Sequence, residues 1–448
     1  MFLFRPSLCR ALPGVLAAGL AALPAIAILP ATDVPGAPLS VEALVAEALD
    51  KSPALAAARA DVAAARERVA PAGTLPDPMV SLGYENDGAS FSLGEEPMTR
   101  LSLMAQQPIP WPGKLGAREK LAAADVDVVE TRLARIRLSV EAAVRRAAAR
   151  LLEARDLQDV TRAQGETWER IEAVARNRYA AGMGTQQDVL RAQSERTRLL
   201  QQARRDETAE RIALAELRRL LLRGPDEPVT LSGRLADTVP VAPEAAAELA
   251  RAEEESPELA LVRKVAEREN LAIDLAKRDR SPDLVASAGY MNRGSLPLMW
   301  TVGVGVSVPV FSSRKQEPRV REAEARLAAA KAAESDVRSL LLARTEERLA
   351  LLDQLAEEAR LDRESLLVQD RLAVEAALAI YGTGTVPFVT VLEAIGTEFS
   401  DRRASLARLA GFQSVRADLL ELSLEGAAAM TPSAAPSAPA ATSAGGGM

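Results

Sequence analysis

Residues 178–190 read RYAAGMGTQQDVL, and residues 380–392 read IYGTGTVPFVTVL. Tyr179, Gly182, Val189 and Leu190 of the first stretch return at one constant offset as Tyr381, Gly384, Val391 and Leu392. Each stretch interrupts two long runs whose apolar residues keep helical spacing. The glycines therefore mark sharp chain reversals, where a positive φ must be available. Thr185 and Thr385 are expected to cap the returning helices.

The runs on either side are unusually long. From Gly113 to about Arg178 there is no proline, and Val129, Leu133, Ile136, Val140, Val144, Ala147 and Leu151 recur at three- and four-residue steps. This is coiled-coil spacing. A helix of that length would be a rod on the order of 100 Å. Pro318 to Tyr381 is expected to repeat it without a break. The return runs, roughly 185–223 and 387–424, carry similar stripes, for example Leu392, Ile395, Phe399, Leu406 and Leu409.

The duplication extends outward from the turns. SPALAAARADVAAARERV (52–69) answers SPELALVRKVAERENLAI (256–273), and PDPMVSLGY (76–84) answers SPDLVASAGY (281–290). LSLMAQQPIPWPGK (101–114) answers VGVGVSVPVFSSRK (302–315), with Pro108 matching Pro309 and Lys114 matching Lys315. A period of roughly 200 residues is a duplicated half, not a solenoid repeat. The halves are placed at 28–235 and 236–425, joined by the proline- and glycine-marked segment RGPDEPVTLSGRLADTVPVAPE (223–244). In the first half, strands are expected at about 77–85 and 99–108 and long helices over 113–223. In the second, strands are expected at about 283–291 and 299–310 and long helices over 318–424. The segment 426–448, rich in Ala, Pro, Ser and Gly, is expected to be a disordered tail.

The strands alternate with period two. Val302, Val304, Val306, Val308 and Val310 are interleaved with Gly303, Gly305, Ser307 and Pro309. Strands of about ten residues with one apolar face suit a membrane barrel, apolar side to lipid and small or polar side to water. Rings stand at their ends: Tyr84, Tyr290 and Trp300 toward the hairpin loops, Trp111 and Phe311 toward the helices. Interfacial aromatics occupy such places. Four strands from one chain cannot enclose a lumen, so a barrel requires several chains; soluble hairpins on a secreted coiled-coil structural or adhesive protein are the alternative.

Composition narrows the function. The 448 residues are 48% hydrophobic and 26% charged with only 3% aromatic, so alanine and leucine must form the core. A net charge of −7 argues against a nucleic-acid partner. The N-terminus, with Arg5 and Arg10, an apolar run and Ala25-Ile26-Ala27, has the form of a signal peptide over 1–27. Its prolines and glycine disfavour the alternative of a membrane anchor. The sole cysteine, Cys9, precedes the apolar run, so no lipidated cysteine is expected. There is no histidine, which removes the commonest general base and transition-metal ligand. GVGV (303–306) and GMGT (182–185) lack the full dinucleotide or P-loop pattern. Glu253, Glu254 and Glu255 form a solvated face. Neither an enzyme nor a cofactor nor a resident metal site is expected.

Taken with the turns, QQPIPWPGKLGAREKLA (106–122) and VSVPVFSSRKQEPRVREAEARLA (306–328) resemble the TolC family of outer-membrane efflux factors over about residues 40–425. The resemblance implies a mainly α fold with a small β part. Duplicated antiparallel helical hairpins would form an α-barrel, and four strands per chain would contribute to a trimeric 12-stranded β-barrel. It implies a homotrimer in outer-membrane lipid of a Gram-negative bacterium, and a passive exit duct for an inner-membrane RND-type pump reached through a periplasmic adaptor. Gly182, Gly184, Thr185, Gly382, Gly384 and Thr385 would be adaptor-docking tips. Asp188, with Arg178 or Tyr381, would close a periplasmic gate, although Thr390 stands in the second half where Asp188 stands in the first. The PIPWPGK stretch is similar to that of members serving heavy-metal or cation pumps rather than multidrug ones. The methionines, Met79, Met98 and Met104 near the first hairpin and Met291 and Met299 near the second, form no evident thioether array.

Overall fold

The computed structural model describes residues 39–89, 91–93 and 98–424. The expected signal peptide with Cys9, and the expected tail, lie outside these residues. The first half runs α1 (Val41–Lys51), α2 (Pro53–Glu67), α3 (Val69–Gly73), β1 (Met79–Glu85), β2 (Arg100–Ile109), α4 (Lys114–Ala180) and α5 (Gln186–Leu221). The second runs α6 (Ala245–Glu255), α7 (Pro257–Arg278), β3 (Asp283–Asn292), β4 (Met299–Ser307), α8 (Gln316–Leu361), a π turn (Asp362–Leu366), α9 (Leu367–Thr383) and α10 (Phe388–Glu421).

The duplication is visible in the caps. Ser52 accepts from the Leu55 amide and Ser256 from the Leu259 amide, and each is followed by a proline in the first helical turn. That serine meets an otherwise orphaned donor, and the proline gives up none that the helix needs. The counterpart of the unbroken α7 is split into α2 and α3. Pro71 in α3 cannot donate back to the preceding turn, and the bend falls at Arg68.

The 67 residues of α4 make a rod of about 100 Å, and α5 folds back along it. In the second half α8, the π turn and α9 form the outgoing arm and α10 the return. The two hairpins pack α4 against α10. Leu44, Val144, Leu151, Leu217 and Leu221 form one core where α1 meets the first hairpin. Trp168, Ile171, Tyr381, Phe388 and Ile395 form another nearer the turns, drawn from both hairpins. The linker is not a loose connection. Its Leu231 bridges in parallel to Leu39, and Asp156 on α4 accepts from the Ala236 amide at 2.8 Å and from Arg234 at 3.2 Å.

Between the hairpins a buried ion pair ties three helices. Asp206 on α5 accepts from Arg403 on α10 through both oxygens at 2.8 Å, from Thr161 on α4 at 2.6 Å, and from Gln202 at 2.8 Å.

Two expectations about the helices are corrected. The run from Pro318 to Tyr381 is not unbroken: a π turn at Asp362–Leu366 separates α8 from α9. Asp362, buried, receives both Nε and Nη2 of Arg408 at 2.7 and 2.8 Å. The widened turn coincides with this long-range ion pair, which local propensity does not contain. Thr385 is not a helix cap either. Pro387 occupies the cap position of α10, and Thr385 instead lies 3.1 Å from the Thr383 hydroxyl. At the offset relating the turns, Pro387 is the counterpart of Thr185, which does cap α5 by accepting from the Asp188 amide.

The four strands form one antiparallel sheet in the order β1-β2-β3-β4. Cross-strand partners share a face. One face carries the rows Leu82–Leu103–Tyr290–Trp300 and Val80–Ala105–Ala288–Val302, continued by Val304 and Val306 on β4. The other carries Ser81–Met104–Gly289–Thr301 and Met79–Gln106–Ser287–Gly303. β4 ends at Ser307, short of the expected Val310. Val308 and Val310 lie beyond the start of β3 and have no strand to pair with in one chain. The sheet keeps two free edges, β1 and β4.

Candidate functional site: the sheet and the helical tips

The apolar face of the sheet is exposed in the protomer: Val304 is 73% and Trp300 78% accessible. Among the described residues no packed helix or second sheet covers it. Tyr290 and Trp300 are direct cross-strand partners at the loop end. Tyr84 stands on the same face, stacked on Phe91 with centroids 4.6 Å apart, and its hydroxyl donates to the Ser92 carbonyl at 2.8 Å. Trp111 and Phe311, both exposed, follow the other ends of β2 and β4. Exposed rings thus stand on the apolar face at the loop end and follow the strands at the other end. The opposite face holds Ser81, Gln106, Ser287 and Thr301 among glycines, together with Met79, Met104, Met291 and Met299.

At the far end, Gly182 has φ +72° and Gly384 φ +86°. These duplicated glycines are the two that need the left-handed conformation; Gly184 and Gly382 have negative φ. A side chain at Gly184 would press on the Arg178 Cβ at 3.1 Å, so that position needs its small size instead. Gly182, Thr185, Gly382, Gly384 and Thr385 are all exposed, and Gly184 is half-buried. Gly384→Ala is expected to destabilise the second turn by about 1–2 kcal/mol, because an L residue pays that much in the left-handed region. The added methyl also meets the Arg178 Nη2 at 3.1 Å. Gly382→Ala, in the last turn of α9 with open space around it, should keep or slightly raise thermal stability. Melting curves showing the two variants alike would contradict this.

The three gate candidates do come together. Arg178 Nη1 donates to the carbonyls of Tyr381 at 2.6 Å and Gly382 at 3.1 Å, while Nη2 donates to its own turn at Met183 O, 2.9 Å. The guanidinium also lies 4.8 Å over the Tyr381 ring. One side chain thus ties the first tip to the second. Tyr381 is only 3% exposed and packs on Phe388 at 5.3 Å. Burial, with the Asp188 carboxylate nearby, pushes its phenol up from the ordinary tyrosine range against the opposing pull of Arg178. Asp188 sits half-buried in the first turn of α5, where its charge complements the helix N-terminus. Tyr179, the duplicate of Tyr381, is exposed instead. The carbonyl contacts of Arg178 carry no signal in the sequence, since they depend on how the two hairpins meet, while the Tyr381–Phe388 contact depends on how the second turn closes.

Among the described residues no group of acidic side chains is spaced to hold a metal ion. None of their helices is long and apolar enough to cross a membrane.

A sheet with a lipid-suited face, joined to helical hairpins whose outgoing arms run about 100 Å, defines a β-anchored channel with a long helical extension. The sequence profile of the outer membrane efflux protein family matches residues 44–221 and 243–422, one segment per half, and the chain belongs to that family. It is a non-enzymatic efflux channel of the Gram-negative outer membrane, with a large periplasmic helical part. The fold is shared with solved channels. The outer membrane protein VceC from Vibrio cholerae superposes with a TM-score of 0.71 at 20% identity, over 85% of this chain and 95% of that one. CusC gives 0.70 at 16%, over 87% and 93%. The MtrE outer membrane channel of Neisseria gonorrhoeae, in its open state, gives 0.69 at 15%, over 85% and 88%. No curated protein matches the sequence significantly.

Proposed function

We propose that three copies of the chain pool their strands into a 12-stranded barrel and their hairpins into a periplasmic tunnel. In this reading the trimer is the passive exit duct of a tripartite pump, energised by an inner-membrane RND-type transporter through a periplasmic adaptor. The observation that carries the reading is the sheet: an uncovered apolar face together with two free edges. Open edges in hydrocarbon leave backbone groups unpaired at several kcal/mol each, and only closure by other chains removes them. The hairpins fit the same reading. α5 packs mainly on α4 and leaves Leu190, Leu200 and Ile212 exposed, while α8 and α9 expose Leu351, Val368 and Leu372. These stripes would meet between neighbouring copies. Mass measurement in detergent tests the assembly, and a lone monomer recovered in the soluble periplasm would overturn it.

The exposed tips, with Gly182, Thr185, Gly384 and Thr385, are the proposed docking points for the adaptor, since they stand farthest from the sheet. The Arg178 contact is the proposed lock of the periplasmic end. Arg178→Ala removes the bonds to Tyr381 O and Gly382 O and is expected to raise single-channel conductance in planar bilayers. Conductance equal to the parent's would remove Arg178 from the lock.

For cargo, a heavy-metal or cation system is favoured over a multidrug one. Four thioethers fall on the small and polar face that would line the lumen, and thioethers suit soft cations. Deleting the gene and comparing sensitivity to metals with sensitivity to hydrophobic drugs tests this. Sensitivity to drugs alone would reverse the preference.

A further inference from the structure

Lys114 is 3% exposed, unusual for a lysine, and its partners explain why. Its ammonium donates to Asp283 Oδ1 at 2.8 Å and to the Ser281 carbonyl at 2.7 Å. The Trp111 amide donates to the same aspartate oxygen at 2.9 Å. The residues that follow β2 are thus stapled to those that open β3, at the helix end of the sheet.

The sequence contains the parts of this staple twice. Lys315 follows β4 as Lys114 follows β2. Aligning PDPMVSLGY with PDLVASAGY superposes Pro76, Asp77, Ser81, Gly83 and Tyr84 on Pro282, Asp283, Ser287, Gly289 and Tyr290. Asp77 therefore stands before β1 as Asp283 stands at the head of β3. Yet Lys315 and Asp77 are both exposed, and neither makes an ion pair or side-chain hydrogen bond among the described residues. The reason is topological: β4 and β1 are opposite edges of the sheet.

We propose that Lys315 of one copy and Asp77 of the next form the intermolecular counterpart of the Lys114–Asp283 staple, and that this contact sets the register in which β4 joins β1 of the neighbour. The proposal rests on the trimeric reading above and adds to it a particular pair and a particular register. The Ser312 amide and the Leu75 carbonyl take the places of the Trp111 amide and the Ser281 carbonyl.

An independent check comes from the strand faces. Within the chain, Gln106 pairs with Ser287, Ala105 with Ala288, Met104 with Gly289 and Leu103 with Tyr290. Carried through the duplication, these pairs set Ser307 opposite Ser81, Val306 opposite Leu82, Gly305 opposite Gly83 and Val304 opposite Tyr84 of the next copy. Every apolar residue then meets an apolar one, and every small or polar residue meets its like. Pro76, Asp77, Ser81, Gly83 and Tyr84 carry the correspondence, and a slip of one position would place valines against the lumen face. The faces exclude a slip of one position, and the staple selects among the registers that remain.

The test uses the full-length protein with Cys9→Ser, which leaves no native cysteine. The mass of the parent in detergent is read first; a monomer there overturns the trimeric reading itself and the staple with it. Given a trimer, Ser81→Cys with Ser307→Cys is expected to give a covalent ladder up to trimer on oxidation in membranes. Ser81→Cys with Val306→Cys, one position off, is expected to stay uncrosslinked. Separately, Asp77→Lys and Lys315→Asp should each lower the heat-resistant trimer fraction by about fivefold. The double reversal should restore it, a result that general surface damage does not produce. Preferential cross-linking of the slipped pair, single reversals without effect, or a double reversal that fails to restore the trimer would each overturn the proposal.

Discussion

Val304→Arg is expected to keep the protein from accumulating in the outer membrane, whereas Gly305→Arg, the next residue, should leave accumulation near the parent level. Val304 lies on the exposed apolar face with Val302 and Val306, and Gly305 lies on the small and polar face. An arginine on the lipid side of a barrel strand costs about 2–4 kcal/mol near the bilayer midplane. In a trimer the substitution is made in every copy, so the penalty rises to about 6–12 kcal/mol, comparable with the whole stability of a domain. On the other face the new side chain reaches water. The backbone at Gly305 also accepts a Cβ, whose nearest neighbours would be Val285 atoms at 3.8 and 3.9 Å, ordinary contact. Immunoblots of the outer-membrane fraction, with both variants at equal expression, decide the matter. Equal loss of both would mean that the sheet does not divide lipid from lumen as its faces indicate.

Arg403→Ala is expected to destabilise the helical part by about 3–5 kcal/mol, because it leaves a buried carboxylate without its cation. Asp206 is 3% exposed and takes two of its hydrogen bonds from Arg403. The bond from Thr161 remains but supplies no charge. Arg403→Ala combined with Asp206→Ala should recover much of the loss, since removing both charges leaves none stranded. Thermal unfolding followed by circular dichroism measures this. Two single variants within experimental error of the parent would show that the network contributes nothing.

The same network has a pH signature. Burial works to raise the Asp206 carboxyl, but hydrogen bonds from Arg403, Thr161 and Gln202 outweigh it and hold the group below the ordinary aspartate value of 3.8. A carboxyl depressed in the folded state contributes stability that is fully present above its unfolded value and lost as pH falls through its folded one. The contribution should therefore be constant above about pH 5 and decline below 3.8. In the Asp206→Ala variant that part of the acid sensitivity should be absent.

The long helices, the strands and the turns were legible because each is a local pattern. Apolar steps of three and four residues mark α4, alternation marks β4, and the recurrent glycines mark the two reversals at Gly182 and Gly384. The sheet's faces were legible as well, since alternation assigns them before any pairing is known. The break at Asp362–Leu366 was not: its residues have the composition of a helix, and the Arg408 that reaches Asp362 lies on the neighbouring α10. The misplaced cap at Thr385 has a different cause. Matching threonine to threonine overlooked the offset that makes Pro387 the counterpart of Thr185. Among the gate candidates, Arg178, Tyr381 and Asp188 were nameable, but an arginine that binds carbonyls looks in sequence like one that would seek the carboxylate of Asp188.

By itself the amino-acid order determined periodicity, duplication and the two faces of every strand, because these follow from the backbone repeat and the side chain at each position. Folding in three dimensions decided which duplicate became buried. Tyr381 lies in the core while Tyr179 faces solvent, and Lys114 is satisfied while Lys315 is not. Duplicated motifs part company in this way because each copy meets different neighbours, and for the lysines the sheet supplies the reason. The inner edge of each half meets the other half, the outer edges have no partner within the protomer, and only the spatial arrangement says which edge is which.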